Sequence, residues 1–174
     1  MSIVNWSPHV LKHFNLFADG RGYAGLVEEL VPPKLVIKTE DFRGGGMDCP
    51  IPIDLGMEKM EAEVTMAEYD PSSIKLFGFQ PGGTIALTFR GVLKGNHNPI
   101  PVPIAINLRG FITELDMGTW KAGERTQMKF KMYCSYYRLA MGEVPIIEID
   151  PENYVRNVGG EDQLIALRAA IGRL

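Results

Sequence analysis

Gly20-Arg21-Gly22-Tyr23-Ala24-Gly25 spells G-x-G-x-x-G, the pattern with which a strand-to-helix turn holds a dinucleotide pyrophosphate. Glu40 follows the first glycine by twenty residues, the distance at which such a site places its ribose-binding acid. That chemistry requires the third glycine to open a helix whose N-terminal amides face the phosphates. Pro32-Pro33 leaves only residues 26–31 for that helix, and no alternating strand–helix pattern follows. The glycines therefore read as a hairpin turn.

The metal and nucleophile chemistries fare no better. His9 and His13 are four apart and would share a helix face, but zinc needs one or two further ligands. The third histidine, His97, falls in a predicted turn, and Cys49 and Cys134 lack metal-ligand spacing. Cys134 lies on the apolar face of a predicted strand, where a thiol is an inert core group. Cys49 sits among glycines and prolines with no base placed beside it. Glu61, Glu63, Glu114 and Asp116 are carboxylates of the type used in acid–base work, but on polar strand faces such groups are usually solvated. The residues thus identify no catalytic group, no cofactor and no metal. The surviving enzyme alternative is a monomeric small-molecule enzyme or binding protein using Cys49 or the Gly20–Gly25 turn.

The composition sets bounds on the scaffold. A chain of 174 residues suits one domain with a real core, so residues 1–174 are read as a single domain. The 45% hydrophobic and 22% charged content is that of a globular protein, and the net charge of −3 argues against general affinity for nucleic acid. No apolar run approaches the roughly 20 residues that span a bilayer, so no membrane segment is expected. The N-terminus lacks the charged-then-apolar pattern of a secretory signal, and two cysteines are too few for a disulfide framework. The expected setting during synthesis and folding is a reducing cytosol.

Periodicity makes the chain mainly β. Residues 57–67 alternate, with Met60, Ala62, Val64 and Met66 opposite Lys59, Glu61, Glu63 and Thr65. Good helix formers compete with that reading, but the sustained period of two favours a strand. Residues 84–94 and 102–115 form two arms of a hairpin around 95–99, with a phase slip that predicts a bulge at Gly110. Residues 128–137 give the clearest strand, and 144–150 another. Residues 9–15 read as a short helical turn, and 15–19 with 23–30 as a hairpin. Asp70-Pro71 opens a short helix, Asp70 as N-cap and Pro71 in the first position. Turns are expected at 80–83 and 121–124, and a C-terminal helix over 161–171, with apolar residues at 164, 167 and 171.

One segment serves no evident core. A strand at 35–41 runs into Phe42, Arg43, Gly44, Gly45, Gly46, Met47, Asp48, Cys49, Pro50, Ile51, Pro52, Ile53 and Asp54. Three glycines supply no side chain to bury, and two prolines remove amide donors. The reading is an extended loop, with the next strand starting near Met57. Charged, regular strands elsewhere suit pairing with other chains, so a ring or filament built by strand addition competes with a monomeric sandwich.

Along most of its length the sequence resembles the major tail tube protein of contractile-tailed bacteriophages and the related R-type pyocins, or tailocins. The residues that carry this are Asn15-Leu16-Phe17, Pro33-Lys34-Leu35, Gly45-Gly46-Met47-Asp48 and Asp54-Leu55-Gly56-Met57. They continue in Phe89-Arg90-Gly91, Leu108-Arg109-Gly110, Trp120-Lys121-Ala122-Gly123-Glu124 and Ser135-Tyr136-Tyr137-Arg138-Leu139. Glu148-Ile149-Asp150-Pro151 and Gly160-Glu161-Asp162-Gln163-Leu164 close the pattern. The resemblance implies an antiparallel β-barrel or sandwich with a short flanking helix and a C-terminal helix. It implies a non-enzymatic structural subunit, without a cofactor, whose hexameric rings stack into a hollow tube driven through the bacterial envelope by sheath contraction.

The partners it implies are other copies of the chain, the sheath, baseplate or initiator, terminator and tape measure proteins, and phage DNA in transit. By position, Phe42 to Asp54 matches the loop between subunits and rings. One polar strand face, here Lys59, Glu61 and Glu63, would line the lumen. An acidic wall there would repel DNA phosphates.

Overall fold

The computed structural model describes residues 8–18, 20–78, 83–95 and 100–173. The predicted turns at 80–83 and 95–99, His97 and the first seven residues lie wholly or largely outside these. Alternation dictates the architecture, because a strand with apolar residues at every second position must bury one face. The strands are β1 (Val10–Ala18), β2 (Arg21–Gly22), β3 (Val27–Val31), β4 (Ile37–Phe42), β5 (Ile51–Met57) and β6 (Met60–Met66). After helix α1 (Pro71–Ile74) come β7 (Ile85–Lys94), β8 (Val102–Asp116), β9 (Met128–Met141), β10 (Val144–Asp150), β11 (Val155–Val158) and β12 (Glu161–Asp162). Helix α2 (Ile165–Ala170) follows.

The strand β9 organises the sheet. Along one side it pairs antiparallel with β8. Along the other its first half, Met128 to Cys134, pairs with β6 and its second half, Tyr137 to Met141, with β10. The sheet therefore divides into one arm, β6–β3, and another, β10–β11–β12, while β8 continues through β7 to β1 and β2. β3 and β1 stand at opposite ends of the order β3-β6-β9-β8-β7-β1, yet Leu30 and Pro32 face Leu11 and Phe14 across one cavity of about 220 Å³. The sheet has curled into an incompletely closed antiparallel barrel.

The core follows the predicted periodicity. Met60, Ala62, Val64 and Met66 of β6 are buried against Met128, Phe130, Met132 and Cys134 of β9 and Ile85, Leu87 and Phe89 of β7. Full burial of apolar side chains of this size stabilises by about 1.5–3 kcal/mol each. α1 closes part of the rim: Asp70 Oδ2 accepts from Ser73 N and Ser73 Oγ at 2.7 Å, and Ile74 and Leu76 pack on the core. The turn within 121–124 is present, with Lys121 paired to Glu124.

Several elements differ from expectation. Residues 10–15 are strand, not a helical turn. β1 carries an extra residue between Leu11 and His13, so Leu11 and Phe14 line the same cavity three residues apart, a helix-like spacing produced by a bulge. The expected partner of residues 15–19 is replaced: β1 lies between β7 and the two-residue β2, and β3 crosses to β6. Ile51, Pro52, Ile53 and Asp54 are strand rather than loop. Among the described residues β5 has a single partner, β4, so half its N–H groups point outward, where a proline removes no ladder bond. The C-terminal helix is shorter than 161–171, because Asp162 joins the short β12 and its Oδ1 accepts from Leu164 N at 3.1 Å.

Candidate assembly surface

β4 and β5 form a two-stranded sheet of their own, separate from the ten-stranded one. The register puts Phe42 opposite Ile51, Glu40 opposite Ile53, Asp41 opposite Pro52 and Thr39 opposite Asp54. Alternation then assigns Phe42, Ile51, Ile53 and Leu55 to one face, and Asp41, Pro52, Thr39 and Asp54 to the other. All four residues of the apolar face are 46–51% exposed. The extra residue near Gly56, whose φ is +94°, ends this phase and turns Met57 toward the core.

The tip, residues 43–50, is held by its own short-range contacts. Arg43 Nε donates to Met47 O and its Nη2 to Asp48 O, both at 3.2 Å. Met47 N donates to Gly44 O at 3.2 Å, and Gly46 takes φ +87°. Gly45, Asp48, Cys49 and Pro50 are exposed. The run from Phe42 to Asp54 is thus one projecting hairpin end, organised by its own hydrogen bonds, with its apolar face uncovered.

Lys59, Glu61 and Glu63 lie away from the hairpin tip, at the start of β6. Lys59 Nζ donates to Glu61 Oε1 at 2.9 Å, and Lys131 Nζ stands 3.5 Å from Glu61 Oε2. The hydrogen bond from Lys59 holds the Glu61 carboxyl below its ordinary range; burial opposes this and the charge of Lys131 assists. Glu63 faces Lys131, which faces Glu114, and Lys129 faces Asp116. The polar face across β6, β9 and β8 therefore alternates in sign. The sequence showed these carboxylates and lysines separately, but the pairing of β6 with β9 that interleaves them carries no local signal.

The remaining chemical candidates are dispersed. Gly20 and Gly25 take φ +79° and +80° in turns, and the chain after them enters β3 rather than a helix. Cys134 is fully buried, and burial pushes its thiol up to about 12. His13 lies in β1, and no cluster of three or more His, Cys, Asp or Glu suited to a metal occurs among the described residues. Among those residues no helix is long and apolar enough to cross a membrane.

The phage tail tube protein FII family matches residues 8–172. The chain belongs to that family. The tail tube protein of Escherichia phage P2 is 32% identical over 168 residues, covering 95% of this chain and 98% of the relative. The major tail tube protein of Serratia phage KSP20 is 29% identical over 157 residues, covering 89% and 90%. The fold is shared more widely. A chain of the extracellular contractile injection system PVC sheath-tube complex in its extended state aligns with TM-score 0.59 at 11% identity, over 81% of this chain and 95% of that one. The tube-terminating cap of the anti-feeding prophage aligns with TM-score 0.63 at 9% identity, over 82% and 97%. The tail tube family thus accounts for both the β-barrel and the structural role, a tube subunit of contractile phage tails and phage-like particles.

Proposed function

We propose that this chain builds the inner tube of a contractile tail by forming hexameric rings that stack around a central lumen, and that sheath contraction drives this tube through a bacterial envelope. The observation that carries the reading is the β4–β5 hairpin. An isolated two-stranded hairpin is marginal in water, and this one exposes Phe42, Ile51, Ile53 and Leu55 on one face. Among the described residues nothing covers that face. A neighbouring copy, in the same ring or the next, supplies the cover, with Phe42 to Asp54 as the contact segment. The role is structural rather than catalytic.

Further partners follow from the family: a sheath around the tube, a baseplate or initiator at one end, a terminator at the other, and a tape measure protein in the lumen. DNA passes through if the particle is a phage. The particle, phage tail or tailocin, is assembled in the host cytoplasm. Residues 1–174 act as one tube domain. The polar face with Lys59, Glu61 and Glu63 lines the lumen. Its four carboxylates, Glu61, Glu63, Glu114 and Asp116, flank Lys129 and Lys131 and offer a phosphate backbone little to hold. A tube reconstruction with Glu61 and Glu63 on the outer wall would remove them from the lumen.

Electron microscopy of the purified protein tests the main reading. Rings or tubes are expected, grown from baseplate seeds if the protein alone stays unassembled. Deleting residues 44–51 should leave a folded domain that no longer adds to a tube. Tubes unchanged by the deletion would refute the role given to the hairpin.

A further inference from the structure

The hairpin leaves the body beside a cavity of about 640 Å³, bordered by Gly56, Met57 and Asp54 on one side and by Val155, Arg156 and Leu167 on the other. Among the described residues, apolar packing on the core holds the hairpin at its base, through Met57. Among the described residues one ion pair crosses from hairpin to body, Arg156 Nη2 to Asp54 Oδ2 at 3.0 Å, between residues 102 apart in sequence. Its two ends differ. The Arg156 side chain is only 13% exposed and its Nε is buried without a partner, whereas Asp54 is 46% exposed. The arginine is fixed in β11, and the hairpin brings its carboxylate to it.

Asp54 belongs to the polar face of β5, opposite Ile51, Ile53 and Leu55. A contact made through Asp54 turns the polar face onto β11 and the apolar face outward. We propose that Asp54 and Arg156 are positioning residues: their ion pair clamps the hairpin in the orientation that offers Phe42, Ile51 and Ile53 to a second copy of this chain. This rests on the reading that the hairpin docks on another subunit, but the clamp itself is a property of the free chain.

The two are tested separately. Cys49 is exposed at the tip and Cys134 is buried, so a maleimide dye or spin label reports on the tip alone. Asp54→Asn keeps an oxygen for the 2.7 Å hydrogen bond from Gly56 N and removes the charge. In the free full-length chain, D54N and R156Q should increase the amplitude of probe motion at least twofold over wild type with an unchanged unfolding midpoint. The exchange D54R/R156D should return it toward wild type. Seeded tube growth should fall tenfold or more in D54N and recover in the exchange. Probe motion in D54N and R156Q equal to wild type overturns the clamp, whatever the tubes do. Wild-type chains that never assemble, even on seeds, overturn the tube reading and leave the clamp to be decided by the probe.

Discussion

The Cβ that Gly110 lacks would lie 1.8 Å from the carbonyl oxygen of Tyr133. The two residues meet where β8 slips one register against β9, between Arg109 and Gly110. The extra residue is Ser135 of β9, so β9 buries Met132 and Cys134 on one side of the slip and Tyr137 on the other, while β8 keeps Leu108, Gly110 and Ile112 inward in one phase. The obstruction is backbone rather than the end of a flexible side chain, so nothing local can move aside cheaply. Gly110→Ala should destabilise the chain by more than about 3 kcal/mol, at the upper end of overpacking costs. Urea unfolding of the monomer measures this, and a loss below about 1 kcal/mol would show that the bulge can be rebuilt.

The bulge predicted at Gly110 coincides with a register shift, but its extra residue is in β9; the break in the alternation of β8 itself comes from Thr113, between Ile112 and Glu114. The strands β6, β7, β8, β9 and β10 pair largely as hairpin neighbours or bury one clean face, so period two finds them. In β1 the bulge between Leu11 and His13 reset the phase within the first turn's length and imitated a helix. β3 gave no hint that its partner was β6, since pairing over such a separation is decided by which edge is free once the sheet has curled. The arm from Phe42 to Asp54 was found by what it lacked, apolar residues with a core to join. Its strand β5 was hidden by prolines that an edge tolerates. The Asp54–Arg156 contact, and the interleaving of Lys129 and Lys131 with Glu61 and Glu63, exist only in the folded chain.

Asp70 offers a pH test. Burial raises its pKa, but hydrogen bonds from the Ser73 hydroxyl and amide, with help from Ser72 and Tyr23, outweigh that and leave the carboxyl below its ordinary value. A carboxyl with a lowered folded pKa adds stability above its unfolded pKa and loses it as pH falls through the folded one. Asp70→Ala should cost about 1 kcal/mol at neutral pH, as for other N-caps. The gap between wild type and variant should close as pH drops below the usual carboxylate range. Thermal melts at several pH values measure it, and a gap independent of pH would mean the carboxylate charge is not what caps α1.

The two thiols should separate by reactivity. Cys49 is exposed on the hairpin tip, whereas Cys134 is fully buried in β9, beside Met60 of β6, with burial pushing its thiol up to about 12. A thiolate is the reactive form, so Cys134 is inert on both counts. A maleimide should therefore add once to the native chain and twice after denaturation, as read by mass spectrometry. Two additions to the native chain would mean that β6 opens away from β9 on the labelling timescale.

The last prediction separates what the hairpin does for folding from what it does for assembly. Ile53 lies on the apolar face and is 46% exposed, with Glu40 as its cross-strand neighbour. Substitution at an exposed position away from caps and special backbone changes stability by no more than about 0.5 kcal/mol. Ile53→Lys should therefore leave the monomer's unfolding curve in place, and pairing with Glu40 helps keep the ladder intact. At an apolar interface the same change forces charged groups out of water, which costs far more than leaving them solvated. Tube growth should then fall by two orders of magnitude or more, read by sedimentation and electron microscopy. Asp41→Asn, on the opposite face, should change growth little. Equal effects of the two substitutions would show that the hairpin docks through its edge or its polar face, not through Phe42, Ile51 and Ile53.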